Sequence, residues 1–133
     1  MIDYSEILKA NSSGVLATQN DEKVDTRVVQ CLFTEGSKAY FCTSCEKPMY
    51  DQLVRNPNVS FCVHPQNYSP VLSVSGKVTF VEDQALKARV LAVSPMSRNV
   101  YKTPDNPVFK VFYIEIEDVK TYSFADGTKH FTI

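Results

Sequence analysis

The chain has 133 residues, 44% of them hydrophobic and 22% charged, which is ordinary for a globular protein and enough for one domain with a buried core. A net charge of −1 excludes the basic footprint of a nucleic-acid binder. No apolar run approaches the roughly 18 residues that would suggest a membrane span. The opening MIDYSEILKA carries two acids and lacks the basic-then-apolar layout of a signal peptide. A cytoplasmic location is therefore expected, with Cys31, Cys42, Cys45 and Cys62 reduced.

No repeat, low-complexity tract or linker interrupts residues 1–133, so a single domain is expected. Residues 4 to about 11 (YSEILKAN) suit a short helix with Ser5 as N-cap and Ile7 and Leu8 facing inward; Gly14 closes it. GVLATQ begins a strand, and Asn20-Asp21 marks a turn. The β-branched run from about Thr26 to Phe33 is a second strand, and KAYFCT, after the turn residues TEGS, a third. Pro48 is placed for the first position of a helix, where its missing N–H costs nothing. Met49 and Leu53 give that helix an inward face, and Asn56-Pro57 ends it. NVSFCVH and VLSVSGKVTFV are further strands. In the second of these, Leu72, Val74, Val78 and Phe80 alternate with polar residues, and Gly76 marks a bulge or a close backbone approach. Residues 82 to 92 are helical, SPMSRNVYKTPDNP is irregular, and VFKVFYIEIEDVKTYSF is one long bent strand or two short ones. Six or so strands with two or three small helices predict a mainly β (α+β) fold, an antiparallel barrel with helical additions.

The stretch CTSCEK, residues 42–47, carries the chemistry. If Thr34 to Ser37 form a four-residue hairpin loop, paired residue numbers sum to 71. Val29 then faces Cys42, and Arg27 faces Ser44. That register delivers Arg27 beside the Thr-Ser turn and the start of the helix near Lys47. A helix N-terminus offers unpaired N–H groups and about half a positive charge. With the hydroxyls of Thr43 and Ser44, the Arg27 fork and the Lys47 ammonium, the place suits a phosphate. Taken singly, each of these residues reads as ordinary surface or turn chemistry.

The thiols compete for the same stretch. Only one C-x-x-C is present, whereas a closed zinc site usually shows two ligand pairs, so no metal is expected. His64, two residues after Cys62, is the one nearby residue that could join a cluster. Cys42 on a strand behaves as a small apolar residue. Cys45 near a positive helix end would have a lowered pKa and could be reactive.

In order and spacing, GVLAT, DTRVVQ, YFCTS with Lys47, QLVRNPNVSF and LSVSGKVTFVED resemble the FMN-binding split-barrel proteins of the pyridoxamine 5′-phosphate oxidase-like superfamily, from about residue 5 to 124. The resemblance implies a six-stranded Greek-key split barrel that forms a homodimer, with FMN in clefts at the subunit interface. It implies that Arg27, Thr43, Ser44 and Lys47 hold the phosphate and that Val28, Val29, Gln30 and Cys42 line the ribityl chain and ring. There are departures. Ungapped counting puts Met49 where the oxidases have a lysine, the arginine before that lysine is missing, and Val71 stands in place of a glutamine. FADGTKHFTI lacks the basic segment that grips the vitamin's phosphate, so pyridoxamine phosphate oxidation is not expected.

Two functions follow from the resemblance. One is a flavin-dependent oxidoreductase reducing a small molecule with electrons from a nicotinamide cofactor or a redox partner. The other is a non-catalytic FMN electron carrier or flavin store, toward which the few titratable residues near the cradle lean. Haem would need His64 or a cysteine as axial ligand, and a deazaflavin cofactor usually a more basic cleft. His64, Tyr50 and Tyr113 could act near a ring, although such residues are usually structural.

Overall fold

The computed structural model describes residues 3–133. Its elements, in chain order, are α1 (Tyr4–Ala10), β1 (Ser13–Asn20), β2 (Lys23–Gln30), β3 (Phe33–Glu35), β4 (Lys38–Ser44), α2 (Pro48–Arg55), β5 (Asn58–Val63), β6 (Val71–Val81), α3 (Gln84–Val93), α4 (Pro95–Tyr101), β7 (Phe109–Ser123) and β8 (Gly127–Thr132). Local chemistry sets most boundaries. Asp3, rather than Ser5, caps α1, its carboxylate accepting from the Glu6 N–H. Gly14 lies within β1 and does not close the helix. Pro48 opens α2, and Asn56 ends it before Pro57.

All eight strands join one antiparallel sheet in the order β2-β1-β5-β6-β7-β4-β3, with β8 on the free side of β7. The fold is mainly β with four helices, as the composition of elements implies. The count differs from the predicted six strands and two or three helices: the predicted second strand, Thr26 to Phe33, divides into β2 and β3, β8 forms in a segment assigned no element, and α4 forms where irregular chain was expected. The sheet is also an open path, not a closed six-stranded barrel. Its two ends, β2 and β3, are nevertheless consecutive in sequence. Across that junction the Cys31 N–H donates to Ser12 O and the Leu32 N–H to Tyr40 O, both at 2.8 Å. The sheet therefore bends round until its ends meet at residues 31 and 32, while β2 and β4 remain unpaired.

This overturns the predicted hairpin register. Glu35 pairs with Lys38 and Phe33 with Tyr40, so the loop is Gly36-Ser37 and paired numbers sum to 73. Gly36 takes φ +58°, the conformation a two-residue hairpin loop requires. Arg27 does not face Ser44, and Val29 does not face Cys42. Their partners on β1 are Leu16 and Gly14, while Ser44 and Cys42 pair with Phe109 and Val111 of β7.

Two apolar clusters lie on opposite faces. The inner one gathers Leu16, Phe41, Phe61, Leu72, Val74, Phe112 and Ile114, closed by Leu8 of α1 and by Met49 and Leu53 of α2. The outer one gathers Tyr40, Phe109 and Val111 beneath Val90 and Leu91 of α3 and Tyr101 of α4. Period-two alternation along β4 sends Ala39 and Phe41 inward and Tyr40 outward. At the end of β4 both faces meet the unpaired gap.

Candidate cofactor cleft

The gap between β2 and β4 opens as a cleft of about 1000 Å³. Arg27, Val28, Val29 and Gln30 line it from β2, Cys42, Thr43 and Ser44 from β4, and Lys47 from the start of α2. The structure thus brings together all eight residues singled out from the sequence, although by a route different from the expected hairpin. They meet because two diverging strands border the same gap.

At the β4 end the chain turns on Ser44, whose hydroxyl accepts from the Glu46 N–H at 3.1 Å and whose carbonyl accepts from the Lys47 N–H at 3.1 Å. Lys47 is the N-cap of α2, and no side chain caps that helix end. Beside it, Thr43 is 2% exposed, and its Oγ1 has no hydrogen-bond partner. It is the one such buried side-chain atom among the described residues. A buried hydroxyl left unpaired costs about 1–3 kcal/mol, so this orphan, in a residue that borders the cleft, calls for a polar partner that the chain itself does not supply.

Across the gap, Arg27 Nη1 donates to Thr18 Oγ1 at 2.7 Å and to Leu16 O at 3.3 Å, and Nη2 donates to Gln52 Oε1 at 3.0 Å. Burial lowers the pKa of the guanidinium, with Asp25 opposing the shift. An arginine still keeps its proton at any physiological pH. The cleft wall therefore carries a fixed positive charge opposite hydroxyl donors.

The remaining wall comes from α4 and the loop after it. Cys42 Sγ lies 3.2 Å from Ser97 Oγ, which accepts from Ser94 Oγ at 2.8 Å. Burial raises the Cys42 pKa, with the Ser97 hydrogen bond and the Lys47 charge opposing. Cys42 is thus a thiol, not a thiolate, near neutral pH. Cys45 does not line the cleft; its N–H donates to Val108 O at 2.9 Å and joins the loop to the turn. CTSCEK is a strand end, a turn and a helix start. Among the described residues no group of three or more His, Cys, Asp or Glu side chains is placed to hold a metal ion.

Other candidates fall elsewhere. His64 is exposed, stacked on Tyr68 with ring centroids 4.3 Å apart and outside the cleft. Tyr50 packs on Phe80, and Tyr113 against Tyr40 beneath Lys38. The sequence reading missed Asp25, Gln52 and the α4 residues that line the cleft. Ser94-Pro95 has the N-cap and N1 chemistry that identified α2 at Pro48, so the same rule would have found α4. Gln52 sits between Met49 and Leu53 on the inward face of α2, and a polar residue there was a signal in itself.

Comparison with known proteins bears on the fold and the family. No curated protein sequence matches the chain. Among solved structures, a NimC/NimA family protein from Clostridium acetobutylicum superposes with a TM-score of 0.85 at 23% identity, over 96% of this chain and 88% of that one. A pyridoxamine 5′-phosphate oxidase-related, FMN-binding protein from Nostoc punctiforme gives 0.71 at 14% identity, over 92% and 86%. A heme-binding protein from Mycobacterium smegmatis gives 0.78 at 19% identity, over 95% of this chain and 55% of that one. At these identities the likeness concerns the fold. The sequence model of the pyridoxamine 5′-phosphate oxidase family matches residues 3–123, and the chain belongs to that family.

Proposed function

We propose that residues 1–133 form one FMN-binding split-barrel domain, with the cofactor in the cleft between β2 and β4. Arg27, Thr43, Ser44 and Lys47 would hold the phosphate, while Val28, Val29, Gln30 and Cys42 would line the ribityl chain and ring. The observation that carries this reading is the buried, unpartnered hydroxyl of Thr43, a residue that lines the same cleft as Ser44, Lys47 and Arg27. A phosphate oxygen would satisfy it. When bound, FMN supplies hydride and electron transfer; the chain supplies charge, donors and a partly buried wall in which Cys42 stays neutral.

The activity proposed is an FMN-dependent oxidoreductase that reduces a small molecule with electrons from a nicotinamide cofactor or a redox partner. One observation favours a second reading, a non-catalytic carrier or flavin store. No histidine lines the cleft among the described residues, and burial raises the pKa of both Cys42 and Tyr101 on its wall. Neither group ionises near neutrality, so neither offers a ready proton shuttle. Haem is less well served, because Cys42 would be the axial ligand and burial disfavours its thiolate. A deazaflavin cofactor fits no better, since Arg27 and Lys47 are the two cations that line the cleft among the described residues, too few for the more basic cleft it usually needs. Pyridoxamine phosphate oxidation is not proposed: buried Met49 occupies the place of the oxidases' lysine.

We place the working form as a cytoplasmic homodimer with FMN at the subunit interface. Val28, Met96 and Val100 are 74%, 77% and 63% exposed on the cleft rim, an apolar border that a second copy would cover. No helix of the described residues is long and apolar enough to cross a membrane.

The direct test is the visible spectrum of purified protein after FMN addition and desalting. Retained flavin bands are expected, and Arg27→Ala combined with Lys47→Ala should abolish them, since charge-assisted hydrogen bonds are worth about 1.5–3 kcal/mol each. Undiminished FMN in the double variant would refute the cradle. Steady oxidation of a nicotinamide cofactor with nitro compounds or quinones would then separate catalyst from carrier.

A further inference from the structure

Gln52 is 4% exposed on an amphipathic helix, among Met49 and Leu53, where a leucine would bury more apolar surface. Its amide makes three hydrogen bonds. Oε1 accepts from Thr18 Oγ1 at 2.6 Å and from Arg27 Nη2 at 3.0 Å, while Nε2 donates to Asp25 Oδ2 at 2.9 Å. Asp25 Oδ2 also accepts from Asn20 Nδ2 at 3.2 Å. The amide can point only one way, because the reverse orientation would set its NH₂ against the Arg27 and Thr18 donors and its oxygen against a carboxylate.

Arg27 is held from one side by this arrangement. Nη1 spends both its protons on Thr18 and Leu16, and Nη2 spends one on Gln52. Nε–H and the second Nη2–H have no protein partner among the described residues. A long, flexible arginine would otherwise lose rotamer freedom on meeting an anion, and that loss weakens binding. The Gln52 amide also separates the Asp25 carboxylate from the guanidinium, which keeps the Arg27 charge available to an anion instead of neutralised by an internal ion pair.

We infer that Gln52 is a positioning residue for phosphate: it holds Arg27 so that its two unused N–H groups serve the phosphate of the flavin, and it thereby sets the preference for FMN over riboflavin. This rests on the FMN reading above. The test measures dissociation constants for FMN and for riboflavin, which lacks the phosphate, by quenching of flavin fluorescence. Wild type is expected to prefer FMN. Gln52→Met, which keeps the volume and removes the amide, should reduce that preference about tenfold, with riboflavin affinity changed less. Gln52→Glu keeps the shape and both accepted bonds but sets a second carboxylate against Asp25, and it should reduce the preference at least as much. It decides the question if the methionine variant does not fold. Equal loss of both flavins, or an unchanged preference, would make Gln52 merely structural and overturn the inference while FMN binding stands. Wild type that fails to bind FMN would overturn the parent reading instead.

Discussion

The carbonyl oxygen of Glu115 occupies the space beside Gly76 where a side chain would begin: a Cβ on Gly76 would lie 1.9 Å from it. The ladder between β6 and β7 changes register at this point, Ser75 facing Asp118 and Gly76 facing Ile116, so Glu117 is the extra residue of a bulge in β7. Both readings of Gly76 made from the sequence, bulge and close approach, hold at once. Because the obstructing atom is backbone in a continuous ladder, it cannot swing aside. Gly76→Ala is expected to lower stability by about 3 kcal/mol, the upper end for overpacking. A urea midpoint within experimental error of wild type would show that the ladder can part there.

The thiols give a second prediction, in the alkaline range. Burial pushes the Cys31 pKa from its ordinary 9.0 to about 12. An unfolded chain releases that proton near pH 9, whereas the folded chain holds it until about 12. The stability attached to Cys31 is therefore intact below pH 9 and lost as pH rises from 9 to 12, at about 1.4 kcal/mol per pH unit within that window. Urea unfolding at about pH 8 and about pH 10 should show a steeper loss for wild type than for Cys31→Ala, whose other titrating groups are the same. Parallel losses would mean that the Cys31 environment is more open than its burial indicates.

Much of this architecture was legible in the sequence where one local rule dominates. Pro48 at N1 with Met49 and Leu53 inward gave α2, and strict alternation from Leu72 to Phe80 gave β6. The register at β3 was hidden because Cys31 and Leu32 are as apolar as the strands they separate, so the break between β2 and β3 leaves no mark in periodicity. TEGS allows a loop of two or four residues, and only the long-range pairing of β4 with β7 selects two. The last strand, β8, buries none of its residues and so shows no apolar alternation. At the site, the charged and hydroxyl residues could be gathered from the sequence, whereas the Arg27–Gln52–Asp25 network could not. It depends on α2 crossing β1 and β2 in space, with hydrogen-bonded partners 25 and 27 residues apart.

A last prediction turns on Thr43, because its hydroxyl should act with opposite sign in the empty and the loaded protein. In the structure Oγ1 is buried without a partner, so Thr43→Val removes an unpaired polar atom while keeping the branched shape that suits a strand. Stability without cofactor should rise by about 1 kcal/mol, the scale of one unsatisfied group. With FMN present the same hydroxyl would meet the phosphate, and its loss should weaken binding roughly fivefold, a change of about 1 kcal/mol. Saturating FMN, which stabilises by mass action, should then raise the melting temperature of wild type more than that of the variant. The two measurements constrain each other. A variant destabilised without cofactor would mean that Thr43 already has a partner in the folded chain. A variant stabilised without cofactor but unaltered in FMN affinity would place the phosphate away from Thr43, leaving Ser44, Lys47 and Arg27 as its only holders.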